Sequence, residues 1–181
     1  MIHIMLDIET MGTSSNAAIM SIGACYFNPA TGEIGDTFHE QVDISSNGQI
    51  DASTVIWWMG QDDEARSKFK NNGKAEPIQH VLAMFVDFVK PNCQVWGNGV
   101  AFDNVIIRNA YNSNPSCADD APWMFWNDRD VRTMVELGKV IGIDPKRDFP
   151  FDGVKHDALA DAIHQAKYVS AIWQALTGPY L

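Results

Sequence analysis

The stretch Ile2-His3-Ile4-Met5-Leu6-Asp7-Ile8-Glu9-Thr10-Met11-Gly12 decides how the rest of the chain is read. An apolar run of strand length ends in Asp7 and Glu9, and Thr10-Met11-Gly12 then breaks it. Side chains two apart on a strand point to the same face. Asp7 and Glu9 therefore project together, about 7 Å apart at the ordinary strand rise. Like charges at that spacing repel unless a cation sits between them, and a divalent metal is the usual partner. A solvated strand end carries the same two residues without any metal, so this stretch leaves both readings open.

Composition narrows the class. A chain of 181 residues is long enough to bury a full core, and 46% apolar with 20% charged residues is ordinary for a globular protein. One domain over residues 1–181 is expected. The net charge of −10 argues against a broad basic face for nucleic acid. Its distribution matters more: no Lys or Arg precedes Arg66, while Arg129, Arg132, Lys139, Lys146, Arg147, Lys155 and Lys167 fall late. Carboxylates that hold cations also meet phosphates through the metal, so acidity decides little. Cys25, Cys93 and Cys117 are odd in number and far apart, which fits neither a disulfide framework nor a zinc site and points to a reducing compartment. There is no signal-peptide pattern and no apolar run of membrane-spanning length. A cytoplasmic protein with no membrane partner is expected.

Along the chain, Ala18 to Phe27 and Glu33 to Val42 read as a strand pair joined by the turn residues Asn28-Pro29-Ala30-Thr31-Gly32. Ser53 reads as the N-cap of a short helix from Thr54 to Met59, and Gln61 to Lys70 as a second helix stopped by Asn71-Asn72-Gly73. Glu76 to Val89 has the periodicity of an amphipathic helix. Gln94 to Trp96 is a short strand, Phe102 to Tyr111 a helix, Asn112 to Pro122 a loop, and Trp123 to Trp126 a further short strand. Asp130 to Ile141 is a helix with Val131, Met134, Val135, Leu137 and Val140 on its apolar side. Gly142 to Lys155 reads as an irregular loop before the longest helix, Ala158 to Leu176. Strands first, then alternating helices and short strands, predict an α/β domain with a mixed sheet, antiparallel early and parallel late.

Two further acids stand out by context. Asp103 sits at a strand-to-helix junction, where ligands of α/β sheets collect, although a first-turn helix acid needs no such role. Asp157 suits the N-cap of the last helix, placing His156 just outside it and Asp161 in its first turn. Taken singly, His156 also fits a solvated loop and Asp161 a plain surface position.

Taken together these positions carry a resemblance. Leu6-Asp7-Ile8-Glu9-Thr10, Asn98-Gly99-Val100-Ala101-Phe102-Asp103 and His156-Asp157-Ala158-Leu159-Ala160-Asp161-Ala162 occur in this order over nearly the whole chain. They resemble the three motifs of the DEDDh class of 3′–5′ exonucleases, of the ribonuclease H-like superfold. Thr54 to Arg66 resembles the small phage and bacterial branch similar to a mycobacterial 3′–5′ exoribonuclease-like domain. The chain departs from many relatives in having Thr10-Met11-Gly12 after the acidic pair and Trp96-Gly97-Asn98-Gly99 before Asp103.

The resemblance implies that Asp7, Glu9, Asp103 and Asp161 hold two Mg²⁺ or Mn²⁺ ions, suited to hard oxygen ligands, with His156 as general base. The implied substrate is single-stranded RNA or DNA with a free 3′ end, released as nucleoside 5′-monophosphates. Thr10 and Met11 would lie beside the terminal nucleotide, Met11 as an apolar wedge, and Trp57, Trp58 or Phe102 would stack on bases. Lys146, Arg147 and Lys155 are candidates to hold phosphates. A homodimer is compatible with the resemblance, but no stretch declares an interface. One competing reading is a ribonuclease H-type endonuclease, against which His156 five residues before Asp161 weighs. The other is a nucleic-acid-binding or accessory module that kept the fold and lost activity, against which an intact set of four acids and one histidine weighs.

Overall fold

The computed structural model describes residues 2–67, 69, 74–116, 120–151 and 153–178. Five strands form one sheet in the order β3-β2-β1-β4-β5. These are β1 (His3–Thr10), β2 (Ile19–Phe27), β3 (Ile34–Gln41), β4 (Gln94–Gly97) and β5 (Asp128–Asp130). β1, β2 and β3 pair antiparallel, while β4 and β5 run parallel to β1. The mixed sheet, antiparallel early and parallel late, is as expected from the order of elements.

The helices are α1 (Ala52–Met59), α2 (Asp63–Ser67), α3 (Ile78–Phe88), α4 (Asp103–Ser113), α5 (Val131–Val140), α6 (Pro145–Asp148) and α7 (Ala158–Thr177). They divide between the two faces because strand side chains alternate. Ile4, Leu6 and Ile8 pack with Ile78, Leu82, Phe85, Ile106 and Tyr111 of α3 and α4. Met5 packs on the other face with Val131 of α5 and Ala162, Ala166, Val169 and Ile172 of α7. Asp7 and Glu9 continue the Met5 row, so they emerge on the side that α7 covers.

Two glycines permit this closeness. Gly23, paired with Asp7, lies under the first turn of α7: a Cβ there would sit 2.1 Å from the Ala158 carbonyl carbon. Gly23→Ala is expected to cost at least about 3 kcal/mol, because backbone must move to admit the methyl; a lower urea midpoint at unchanged slope is the readout. Gly97, at the end of β4, would drive a Cβ to 2.4 Å from Asn104 Oδ1, so only glycine lets α4 start so near the sheet.

A buried histidine opens β1. Trp96 Nε1–H donates to His3 Nδ1 at 3.0 Å, and the ring packs among Phe27, Trp96 and Trp173. Burial, with the positive N-terminus and Arg129 adding repulsion, lowers its pKa from 6.5 to about 4. The unfolded chain therefore takes up this proton first as pH falls, so the stability His3 contributes is complete above about pH 6.5 and fades toward about pH 4. Up to about 3 kcal/mol of acid sensitivity is expected to disappear in His3→Phe, measured as the difference between the two proteins' stability-versus-pH curves.

Local readings fail at several points. Asp51, not Ser53, is the N-cap of α1, and its carboxylate accepts instead from the Thr13 N–H at 2.9 Å, tying the β1–β2 loop to the helix. The second helix is confined to Asp63–Ser67 among the described residues, and its expected stop at Asn71-Asn72-Gly73 lies outside them. No strand forms over Trp123 to Trp126; Phe125–Asn127 is a 3₁₀ turn and the strand follows at Asp128–Asp130. The Gly142–Lys155 segment contains a helical turn, Pro145–Asp148, capped by Asp144. Leu137 and Val140, expected on the apolar side of α5, are 46% and 84% exposed because α7 meets the opposite flank of that helix. No helix of the described residues is long and apolar enough to cross a membrane.

Candidate active site

β4 stops at Gly97, level with Leu6, while β1 runs on to Thr10 with only β2 beside it. That leaves a crevice beyond the carboxyl end of β4, the place where open α/β sheets bind ligands. Asp103, in the first turn of α4, fills part of it. Its Oδ1 accepts from the Ile8 N–H at 3.3 Å, replacing the ladder partner that β4 no longer supplies. Asp103 is 4% exposed.

Asp7 and Glu9 meet Asp161 of α7 in this space. Each of the three offers a carboxylate oxygen, and these oxygens lie within 4.8 Å of one another. Asp103 is outside that ring of three, and among the neighbouring charges its own acts most strongly on Asp7. Burial raises the Asp7 pKa well above its ordinary 3.8, and the charges of Asp103, Glu9 and Asp161 raise it further. Burial likewise raises Asp103 to about 7, against the opposing hydrogen bond from Ile8 N–H. Crowded carboxyl groups thus sit where they cannot all be charged without a positive partner. A hard divalent cation is the partner that such an oxygen donor set fits.

Gln165 is the member of the site that motif reading missed. Its Nε2 donates to Asp7 Oδ1 at 2.8 Å, and this hydrogen bond opposes the rise in the Asp7 pKa. It lies four residues after Asp161, one turn along the same face of α7, so helical spacing was the available signal. Tyr168, one turn away on α7, is buried behind the acids, and their charges help burial push its hydroxyl pKa up.

His156 directly precedes Asp157, whose carboxylate accepts from the Ala160 N–H as the N-cap of α7. Its backbone is left-handed, with φ of 61°, an uncommon conformation for a residue with a side chain. The imidazole stands edge-on to Trp57 and Trp58, with ring centroids 5.0 and 5.8 Å apart. It is therefore seated against α1.

Two clefts flank the carboxylates. One, of about 390 Å³, is lined by Glu9, Thr10, Thr54, Trp57, Trp58 and Phe102. The other, of about 660 Å³, is lined by Asp161 and Gln165 together with Arg132, Lys146, Phe149 and Lys155. Arg147, expected beside the two lysines, is instead held by Asp148 and by the Gly142 carbonyl.

Among the expected substrate contacts, two are corrected. Met11 is no wedge: it is 5% exposed and packed with Ala18, Met20, Trp58 and Ala65. Trp58 is 2% exposed, and its Nε1–H donates to the Thr10 carbonyl at 3.0 Å. Its face is spent on the core, whereas Trp57 is 47% exposed. Thr10 lines the first cleft with its hydroxyl turned to the Gly12 carbonyl, and Phe102 lines it from α4's entrance.

Comparison with known proteins bears on the fold and the family. The chain is 28% identical over 192 aligned positions to the exodeoxyribonuclease of Enterobacteria phage T4, covering 89% of this chain and 84% of the relative. Its fold is similar to that of E. coli exonuclease I in complex with a dA13 oligonucleotide, with a TM-score of 0.62 and 17% identity. That match covers 99% of this chain and 41% of the exonuclease I chain, so this chain spans about two fifths of that larger protein. The nuclease domain of 3′hExo, a DEDDh family member bound to rAMP, matches with a TM-score of 0.56 and 18% identity over 98% of this chain and 92% of that one. Residues 2–173 match the model of the Rv2179c-like 3′–5′ exoribonuclease domain. The chain belongs to that family of 3′–5′ exonucleases and has the ribonuclease H-like fold of these solved exonucleases.

Proposed function

We propose that this protein removes nucleoside 5′-monophosphates one at a time from the 3′ end of single-stranded nucleic acid, using divalent metal ions held by Asp7, Glu9, Asp103 and Asp161, with His156 as general base. The observation that carries this reading is the meeting of three carboxylate oxygens within 4.8 Å, drawn from β1 and α7, positions far apart in the chain. Asp103 completes the set from α4, buried and close enough for its charge to act on Asp7. Mg²⁺ or Mn²⁺ bound there would supply Lewis-acid stabilisation of charge on the phosphate oxygens.

The chain's own residues do the rest. Gln165 holds Asp7 by its Oδ1, so the carboxylate presents one defined edge to the site. The cleft bearing Glu9 and Thr10 takes the terminal nucleotide, its sugar beside Thr10 and its base against Phe102 and the exposed face of Trp57. Such aromatic stacking is sequence-tolerant and is worth about 1–3 kcal/mol per base. His156, parked beside Trp57 at the edge of this cleft, takes the proton from the attacking water once the nucleotide is seated.

Relatives act on or bind both sugars by their names, so the comparison of RNA with DNA is itself part of the test. Matched single-stranded RNA and DNA strands labelled at the 5′ end are incubated with Mg²⁺ or Mn²⁺. Stepwise shortening is expected, with resistance when the 3′ end carries a phosphate. Internal cuts in a circular single strand would remove the exonuclease reading.

A further inference from the structure

We infer that the cleft between α5, α6 and α7 is the channel along which the single strand enters, and that Lys146, Lys155 and Arg132 hold its phosphate backbone on the 5′ side of the scissile bond. This rests on the exonuclease reading above. An enzyme that trims a polymer from one end needs a pocket for the end and a path for the remainder. The carboxylates separate two clefts that suit these two tasks. The Glu9 cleft, about 390 Å³, is lined by apolar and hydroxyl residues and carries no cation. The Asp161 cleft is larger, about 660 Å³, and carries all three of Arg132, Lys146 and Lys155.

Those cations are available. Among the described residues none of the three is paired with a carboxylate, whereas Arg66, Lys90, Arg108, Lys139 and Arg147 each are. In a chain of net charge −10, three cations with no carboxylate of the described residues in salt-bridge range, beside Asp161 and a Glu136 already held by Lys139, favour an anionic occupant. A second observation identifies its chemistry. Gln165 lines the cleft, is 4% exposed, and its Oε1 has no hydrogen-bond partner among the described residues. A buried acceptor of this kind calls for a donor. The sugar hydroxyls and base N–H groups of a nucleic-acid strand supply such donors. Phe149 adds an apolar wall on which a base can lie.

The test separates this channel from the terminal pocket. Wild-type protein is first shown to shorten a long strand; failure there removes the exonuclease reading and is seen before any variant is made. Affinity for a long, uncleavable phosphorothioate single strand and for a dinucleotide is then measured by fluorescence anisotropy against salt. Wild type is expected to bind the long strand more tightly. Lys146→Gln with Lys155→Gln is expected to lose that preference and to lower the slope of log K against log salt by about 0.7 per lost contact. Lys146→Arg is expected to keep the slope. A double variant with wild-type slope and wild-type preference for the long strand would overturn the assignment, as would equal loss of affinity for the long strand and the dinucleotide.

Discussion

Asp7→Asn is expected to abolish turnover and at the same time to stabilise the metal-free protein. Both follow from one feature, a buried carboxyl whose pKa is raised by burial and by the charges of Asp103, Glu9 and Asp161. The folded state holds that proton more tightly than the unfolded chain, so charging Asp7 costs folding free energy. The contribution is therefore complete below the unfolded pKa and is lost as pH rises through the folded one. Asp103, raised to about 7, behaves in the same way over the window from about 4 to about 7. Metal-free wild type should accordingly lose melting temperature through that window and regain it when Mg²⁺ or Mn²⁺ is added. An asparagine keeps the acceptor for Gln165 Nε2 and never charges, so the variant should melt higher than wild type without metal and gain less from Mn²⁺. Calorimetric Mn²⁺ affinity equal to wild type would remove Asp7 from the ligand set. Ca²⁺, larger and more loosely coordinated, should bind wild type without supporting much cleavage.

His156→Ala is expected to lower the rate by about 10²–10⁴-fold, the usual contribution of a positioned general base, while Mn²⁺ and oligonucleotide affinities stay near wild type. The separation follows from position: His156 is seated on Trp57 and Trp58, outside the ring of Asp7, Glu9 and Asp161. Truncation leaves a ring-sized gap beside the two tryptophans, so added imidazole should restore part of the activity to this variant and none to Asp161→Ala. A His156→Ala enzyme of nearly full activity would leave the fold and the family standing and remove the histidine from the mechanism.

Much of this molecule is legible in local chemistry. The alternation of Ile4, Leu6 and Ile8 against Met5, Asp7 and Glu9 specified which side of β1 carries acids, because a strand's period of two is a property of the backbone. Asp157 and Asp130 cap α7 and α5 as short polar residues at helix starts do, accepting from Ala160 N–H and Thr133 N–H. β5 was not legible: Asp128–Asp130 has no apolar alternation and is a strand only because β4 offers Val95 to Gly97 as a partner.

The site divides along the same line. The order of the three acidic motifs identified Asp7, Glu9, Asp103, His156 and Asp161 as candidates, since each motif is a short run of residues. What the chain could not show is which of their neighbours are spent elsewhere. Met11 and Trp58 looked like contacts for a base, yet the β1–β2 loop and α1 fold over them and bury both. Ser53 lost the cap of α1 to Asp51, whose carboxylate in turn went to Thr13. Gln165 became part of the site only because Gly23 lets α7 lie close against β2. Burial, the raised pKa values and the choice of hydrogen-bond partner depend on atoms distant in sequence, and those distances exist only once the sheet and α7 have packed.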